Sequence, residues 1–386
     1  MNVLLVVPWD NLGGVCAVVN NVAKHLQSHG HSVSYLLPGR TMTPVAGVTR
    51  EGFSAFRLNR RRMVATNGSI RSRIAFMISL PLTMFVIVKL LRRLKIDVVN
   101  VHFPSSAAIS FSILHRLRIV KVVTSVHGAD LLPEGVRNPL AQSGILALLS
   151  SSDLIVIPSR GFERALRLAW PELGNRPMKI IPNGVDPNEL GYSSPASETA
   201  ASPPYILSVL QLVTYKGADV LIRAFAAIAA DYPTLQLELV SDGPNRKDYE
   251  HLCTELGLRN RVRFLGVLER PDVASRIRGC TLFVLPSRSN SESFGIAAAE
   301  AMALDRPVIV SRIGGLPDLV KDGETGVLVP PGDVNALAAA MRRLLDDRPL
   351  RERLGRNGGE RVRSTYLWTA TGAQYEAMFQ QVTGKT

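Results

Sequence analysis

The side chains best suited to chemistry stand in one stretch of the 386-residue sequence, Pro286-Ser-Arg-Ser-Asn-Ser-Glu-Ser-Phe-Gly-Ile-Ala-Ala-Ala-Glu-Ala-Met-Ala303. It follows an apolar run, Thr281-Leu-Phe-Val-Leu285, that reads as a buried parallel strand. A helix opening with Ser-Phe-Gly presents free backbone N–H groups, and these with the helix dipole bind anions. Glu292 and Glu300 bracket that opening. If the segment between them is mostly helical, the rise per residue sets them about 12 Å apart along the axis. That span places one carboxylate on each side of a bound pyrophosphate. Taken alone, the same residues also fit a helix packed through its alanines and carrying two solvated carboxylates.

Other candidates are scattered along the chain. Lys216-Gly-Ala-Asp219 falls between an apolar run and a helical pattern. His127-Gly-Ala-Asp130 follows the apolar run 120–126, at the C-terminal edge of a parallel sheet, where ligands bind in open α/β folds. A packing or capping role for His127 fits equally well. Gly13 and Gly14 follow the first apolar run and let a ligand approach the backbone, though the loop is not G-x-G-x-x-G. Asp130 is one option for a general base and is equally suited to a structural role. The sequence contains no Asp-x-Asp, and Cys16, Cys253 and Cys280 have no metal-ligand spacing.

These residues need a scaffold, and the pattern supplies an α/β one. Strands are expected at Asn2 to Val7, His31 to Leu37, Asp97 to His102, Val120 to Val126, Leu154 to Ile157 and Lys179 to Ile181. After a Ser/Pro/Ala-rich linker at 191–204, a second series begins, with strands at Ile206 to Leu210, Leu235 to Ser241, Val262 to Leu265, Thr281 to Leu285, Pro307 to Ser311 and Gly326 to Val329. The expected architecture is two Rossmann-like domains with parallel sheets, at 1–190 and 205–365, with a ligand cleft between them.

Composition narrows the setting. Hydrophobic content of 46% with 20% charged residues describes a globular chain. An odd number of cysteines in apolar segments suits a reducing cytoplasm. The N-terminus reads as a first strand rather than a signal peptide. The net charge of +13 is lopsided: residues 1–190 carry 22 Lys and Arg against 10 Asp and Glu, while residues 191–386 carry 23 against 22. Nucleic acid and an anionic membrane are the usual partners of such a patch. The basic stretch at 57–73 lacks interleaved aromatics, which argues against nucleic acid. The uncharged segment 74–88 has basic flanks and Pro81 inside, and is either a core helix or a helix in the membrane interface.

In this company the motifs resemble those of retaining glycosyltransferases of the GT-B fold, specifically glycosyltransferase family 4 (group 1). Glu292-Ser-Phe-Gly through Glu300-Ala-Met-Ala303 is similar to that family's E-x7-E motif, and Lys216-Gly-Ala-Asp219 to its Lys-Gly-x-Asp. Gly13-Gly14, His127-Gly-Ala-Asp130, Asn183-Gly-Val-Asp186, Asp242-Gly-Pro244, Gly314-Gly-Leu-Pro317 and Thr325-Gly-Val-Leu-Val-Pro330 fall in family order. The resemblance implies transfer of a sugar from a nucleoside diphosphate sugar, with retention and without a metal or other cofactor. It implies that Glu292 meets sugar hydroxyls and that Phe294, Gly295 and Ile296 offer N–H groups to the diphosphate. Glu300 takes the ribose, Lys216 neutralises the leaving group, and His127 meets the transferred sugar. It implies a C-terminal helix at 366–386 that completes the first domain.

Gln211 stands where many members carry Arg, so a hydrogen-bond donor replaces a charge. A non-catalytic GT-B protein that binds a glycan or nucleotide is the alternative that this position supports. The basic first half and the apolar segment lead to the expectation of a glycan or lipid-linked acceptor and peripheral association with an anionic membrane, at the inner face of the cytoplasmic membrane.

Overall fold

The computed structural model describes residues 1–8, 14–59, 70–131, 139–191 and 203–385, without the side chains of 70–73 and 139–141. The chain forms two compact units, Met1–Pro182 with Trp368–Thr386, and Asn183–Leu367. The first contains β1 (Asn2–Val6), α1 (Gly14–Ser28), β2 (Ser32–Pro38), β3 (Val45–Val48), β4 (Ser54–Leu58), α2 (Ile70–Arg93), β5 (Val98–His102), α3 (Ile109–Arg116), β6 (Lys121–Ser125), α4 (Pro139–Ser151), β7 (Leu154–Ile157), α5 (Arg160–Ala169) and β8 (Met178–Ile180). Its sheet runs β3-β4-β2-β1-β5-β6-β7-β8 and is parallel except for the β3–β4 pair. Alternate residues of a strand point to opposite faces. Thus Val3 and Leu5 pack with Val19 and Val22 of α1, while Leu4 and Val6 pack with Ile87 and Leu90 of α2 and Phe111 of α3.

The second unit contains β9 (Tyr205–Val209), α6 (Ala218–Ala226), β10 (Gln236–Val240), α7 (Arg246–Glu255), β11 (Val262–Gly266), α8 (Arg270–Gly279), β12 (Leu282–Leu285), α9 (Ile296–Ala303), β13 (Val308–Ser311), α10 (Leu316–Leu319), β14 (Val327–Val329), α11 (Val334–Asp346) and α12 (Arg348–Thr365). All its strands are parallel, in the order β11-β10-β9-β12-β13-β14. Order reverses at β9, so the loops after β9 and β12 leave neighbouring strand ends at the switch point where open sheets bind ligands. The last helix, α13 (Trp368–Thr383), returns to the first unit, where Tyr375, Met378 and Phe379 join the core beside β1.

The units divide at Pro182/Asn183, earlier than the composition-marked boundary at 190. Residues 183–190 are held by the second unit: Val185 donates its N–H to Tyr366 at 2.8 Å, and Leu190 lies in that unit's core. Most of the linker, 192–202, lies outside the described residues.

Segment 74–88 is the middle of a longer helix, α2, which continues through Pro81. Proline removes one N–H from the ladder. Beside it the Thr83 and Ser79 hydroxyls donate to the carbonyls of Ser79 and Phe76. The helix has two apolar faces. Phe76, Ile87, Leu90 and Leu91 are buried, whereas Ile74, Met77, Ile78, Leu82 and Phe85 are exposed, with Ile78 at 74%. Among the described residues, Ile74–Arg93 is the one segment long and apolar enough to cross a membrane, and 28% of its most apolar window is buried.

Candidate functional site

Lys216 ends a single 3-10 turn after β9, and Gly217 follows at φ 75°. Glycine is needed there twice over, because a Cβ would also stand 2.2 Å from the Pro286 carbonyl oxygen. The loops after β9 and β12 are therefore pressed together, and polar bonds stitch them. Arg288 donates its backbone N–H to Tyr215 at 2.8 Å and its guanidinium to Thr214 at 2.8 Å and Asp219 at 3.1 Å. Asp219 of the Lys-Gly-x-Asp motif is thus a clamp on the β12 loop.

This clamp brings Lys216 Nζ to 2.7 Å from Glu292 Oε2, and Ser287 Oγ donates to the same oxygen at 2.8 Å. Burial works to raise the Glu292 carboxyl, but Lys216 and the two hydrogen bonds outweigh it and hold it below the usual carboxylate range. The backbone of Glu292 is fixed from the other side. Gly315 donates to the Glu292 carbonyl at 2.9 Å, and Gly314 donates to Asn290 Oδ1 at 3.2 Å. Gly314 has φ 56°, and a Cβ on it would lie 2.2 Å from the Glu292 carbonyl oxygen.

The helix does not open at Ser293. Gly295, at φ 90°, is the N-cap of α9, which begins at Ile296. Residues 292–295 are loop, so the helical estimate of about 12 Å between the carboxylates does not apply to them. A Cβ on Gly295 would meet Leu316 at 2.5 Å, so the chain turns tightly over α10 before entering the helix. The N-cap glycine has no side chain to accept from α9, and the first-turn N–H groups from Ile296 onward have no intrahelical acceptor. Phe294 is buried edge-on against Tyr366, with ring centroids 5.5 Å apart, and anchors the loop.

Glu300, one turn into α9, is paired with Arg270 of α8 at 3.0 Å. Here burial wins: it raises the carboxyl against the pull of Arg270, and Glu189 adds to the rise. Gln211 is exposed in the loop after β9, and its side chain makes no hydrogen bond among the described residues. Leu212 behind it receives the N–H of Asn245 at 3.0 Å and donates to Asp242 at 3.1 Å, so Asp242-Gly-Pro244 packs on the Gln211 loop.

The remaining sequence candidates belong to the first unit. Gly14 opens α1 and is exposed, while Gly13 lies outside the described residues. His127 stands two residues past the end of β6 and is half-buried. Burial pushes its imidazole down to about 4. Asp130 turns back on its own loop and accepts N–H groups from His127 at 3.0 Å and Gly128 at 2.7 Å. Its carboxyl, buried and raised by that burial to about 7 despite the backbone hydrogen bonds, organises the turn that carries His127.

Sequence reasoning missed Arg270 and Ser287 as partners of the two glutamates. Ser287 was one of several serines in a polar loop. Arg270 is 30 positions from Glu300, with no local pattern linking them.

Two doubly wound parallel-sheet units, with a lysine–glutamate pair and an uncapped helix at the second sheet's switch point, define a GT-B protein. Sucrose-phosphate synthase from Thermosynechococcus elongatus has this fold, with a TM-score of 0.79 at 25% identity over 99% of both chains. Residues 193–361 match the family described as Glycosyl transferases group 1, and residues 12–189 match Glycosyltransferase Family 4. The chain is 30% identical to the phosphatidyl-myo-inositol mannosyltransferase of Mycobacterium leprae, over 99% of this chain and 97% of that protein. It is 38% identical to the D-inositol 3-phosphate glycosyltransferase of Corynebacterium glutamicum over 44% of this chain, a match that spans only 41% of that relative's length. The chain belongs to the group 1 glycosyltransferases of family 4.

Proposed function

We propose that the chain is a retaining, metal-independent glycosyltransferase that moves a sugar from a nucleoside diphosphate sugar to a glycan or lipid-linked acceptor in glycolipid or polysaccharide synthesis. The observation that carries this is the Lys216–Glu292–Ser287 cluster beside the open start of α9. A departing diphosphate gathers negative charge, and fixed donors can accept it without a metal. Lys216 and the N–H groups of Phe294, Gly295 and Ile296 fill that role. Gln211 supplies a neutral donor. Glu292, kept ionised by Lys216, accepts hydrogen bonds from sugar hydroxyls, and Glu300 does the same for a ribose. By family likeness His127 meets the transferred sugar, and Gly13 and Gly14 let the substrate approach the backbone. In the reaction the bond from the anomeric carbon to the diphosphate oxygen breaks. The acceptor oxygen bonds to that carbon on the same face, and its proton passes to the departing phosphate.

Two relatives named for inositol-containing acceptors support an anionic, inositol-bearing acceptor. The exposed apolar face of α2, with exposed Lys89, Arg92, Arg93 and Lys95 at its end, supports peripheral association with an anionic membrane. This reading places the enzyme at the inner face of the cytoplasmic membrane.

The test is a panel of nucleotide sugars. Thermal shift identifies the donor that binds, since a bound ligand stabilises the fold by mass action. That donor is then incubated with bacterial lipid extract and with myo-inositol phosphate. Labelled product from wild type, with the anomeric configuration retained, is the expected result. Binding without product for every acceptor favours the non-catalytic alternative that Gln211 raises.

A further inference from the structure

Within the first unit, three histidines gather round one carboxylate where α13 lies on α1. His25 belongs to the last turn of α1, and His29 follows one turn later. The His29 N–H donates to the His25 carbonyl at 3.2 Å, so the helical spacing carries past the end of α1 and keeps both side chains on one face. Glu376 projects from α13. Its Oε2 lies 2.8 Å from His25 Nε2, and its Oε1 lies 2.9 Å from Nε2 of His31, which directly precedes β2. The His25 ring is fixed by the bare backbone of α13, since a Cβ on Gly372 would stand 2.3 Å from its Cγ.

A ring nitrogen of His25, a ring nitrogen of His29 and an oxygen of Glu376 all lie within 4.8 Å of one another. Two histidines four residues apart on a helix, joined by a carboxylate from another element, form a set of nitrogen and oxygen ligands suited to zinc. The supports that such a set needs are also built. A carboxylate only accepts, so His31 donates to Glu376 Oε1 and holds the carboxylate's orientation. His29 donates Nδ1–H to the His25 carbonyl at 2.8 Å, which leaves the lone pair of its neutral ring on Nε2. The rings of His25 and His29 are stacked at 4.1 Å, and His29 is exposed, so its ring can turn toward an ion without disturbing the core. Metal bonds of about 2.0–2.1 Å in a tetrahedron set neighbouring ligand atoms about 3.3 Å apart. His25 Nε2 and Glu376 Oε2 need to separate by only about 0.5 Å from their 2.8 Å contact.

We propose that His25, His29 and Glu376 form a structural site for one divalent transition-metal ion of the zinc class, which ties the C-terminal helix α13 to α1. The ion replaces the proton that His25 Nε2 donates to Glu376, and that proton passes to solvent. Solvent at the exposed His29 side supplies the fourth ligand. None of these residues belongs to the proposed transfer machinery, so the site neither rests on that reading nor makes transfer metal-dependent.

The test uses tag-free, full-length protein treated with chelator. Zinc is titrated in competition with a chromogenic chelator, and cobalt(II) serves as the spectroscopic probe. One zinc per chain is expected, together with cobalt bands of nitrogen and oxygen ligation and a higher Tm in the presence of zinc. His29→Ala removes an exposed ligand and leaves the His25–Glu376 contact in place. It is expected to keep the metal-free Tm, weaken zinc binding at least roughly tenfold and abolish the zinc-dependent rise in Tm. Glu376→Gln should weaken binding further. Failure to take up one zinc, or zinc affinity and Tm shift unchanged in H29A, overturns the proposal. A thiolate charge-transfer band with cobalt assigns the ion to a cysteine and overturns it as well.

Discussion

Lys216 and Glu292 are 76 positions apart, yet their side chains meet at 2.7 Å across the loops that follow β9 and β12. Both are largely buried, at 19% and 10% side-chain exposure. A buried pair of this kind adds little to stability by itself, because desolvation offsets attraction, but removing one partner strands the other at a cost of about 3–5 kcal/mol. The pair is therefore better explained as a held-ready charge arrangement than as a fold anchor.

Its first consequence is catalytic. Glu292→Gln and Lys216→Met should each lower kcat/KM for transfer by roughly a hundredfold to a thousandfold, the usual result of removing a fixed donor or acceptor. Steady-state kinetics with the identified donor would check this. The pair also has a pH signature. The Glu292 carboxyl is depressed in the folded state, so its contribution is present at neutral pH and is lost as pH falls below the usual carboxylate range. Lys216→Met should remove that acid-limb contribution from a chemical-denaturation series. An unaltered acid limb would contradict the pairing.

Gly314→Ala tests the backbone under Glu292. Its φ of 56° disfavours alanine, and the added Cβ would stand 2.2 Å from the Glu292 carbonyl oxygen. The second unit should lose on the order of 3 kcal/mol or more, from strain plus displaced loop. Transfer should fall even under conditions where the variant remains folded. A calorimetric trace like that of wild type would show that the loop yields easily.

Asp130 predicts the opposite pH trend in the first unit. Its carboxyl is raised from an ordinary 3.8 to about 7, so the folded state holds the proton more tightly than the unfolded chain does. The corresponding stability is complete below about 4 and is lost as pH rises through about 7. The shift bounds the effect at about 4 kcal/mol. Asp130→Asn keeps an oxygen for the two amides and removes the titration. The stability difference, wild type minus variant, should fall between pH 5 and pH 8; a flat difference would falsify the assignment.

Ser241 sits just after β10 with φ 101°, where its N–H donates to Gly266 at 2.7 Å. A side chain in that region costs about 1–3 kcal/mol, and glycine's extra entropy in the unfolded chain gives back roughly 0.5–1 kcal/mol. Ser241→Gly should stabilise the second unit by about 1 kcal/mol and raise its Tm by roughly 2–4 °C. A lowered Tm would mean that the hydroxyl contributes more than the strain costs.

The exposed face of α2 predicts membrane binding. Replacing Met77, Ile78 and Phe85 with Ser removes side chains exposed by 70, 74 and 67% and disturbs no core contact. Sedimentation with anionic vesicles should weaken on the order of a hundredfold. Changing Arg60, Arg61, Arg62, Arg71 and Arg73 to Glu should also abolish it, and binding to wild type should fall with salt. Vesicle binding that is equal in all three proteins would remove the membrane from the proposed function.

Much of the scaffold was legible in the sequence. Parallel strands covered on both faces must be apolar at nearly every position, so each appeared as an unbroken run. The Glu292, Lys216 and Gly314-Gly315 motifs were legible because a tight turn or a close backbone approach admits few residue types. Helix α12 was not. Its Gly355, Gly358 and Gly359 lower helix propensity, but α12 packs closely against α9, and a Cβ on Gly355 would stand 2.3 Å from the Asp305 carbonyl oxygen. The β3–β4 pair was missed as well, since every residue of β3 is exposed and carries no burial pattern.

What the sequence determined by itself was the order of the buried parallel strands, the two-unit α/β architecture and the choice of candidate site residues, because local backbone demands and burial period are written residue by residue. Tertiary structure alone decided their electrostatic state. Glu292 meets Lys216 and stays ionised, whereas Glu300 is buried more than its Arg270 can offset. Asp130 caps its own turn, and His127 Nε2 comes within 3.1 Å of His102 Nδ1. Each of these depends on which distant group arrives within hydrogen-bond reach and how much water is excluded with it, and neither quantity is set by neighbours along the chain.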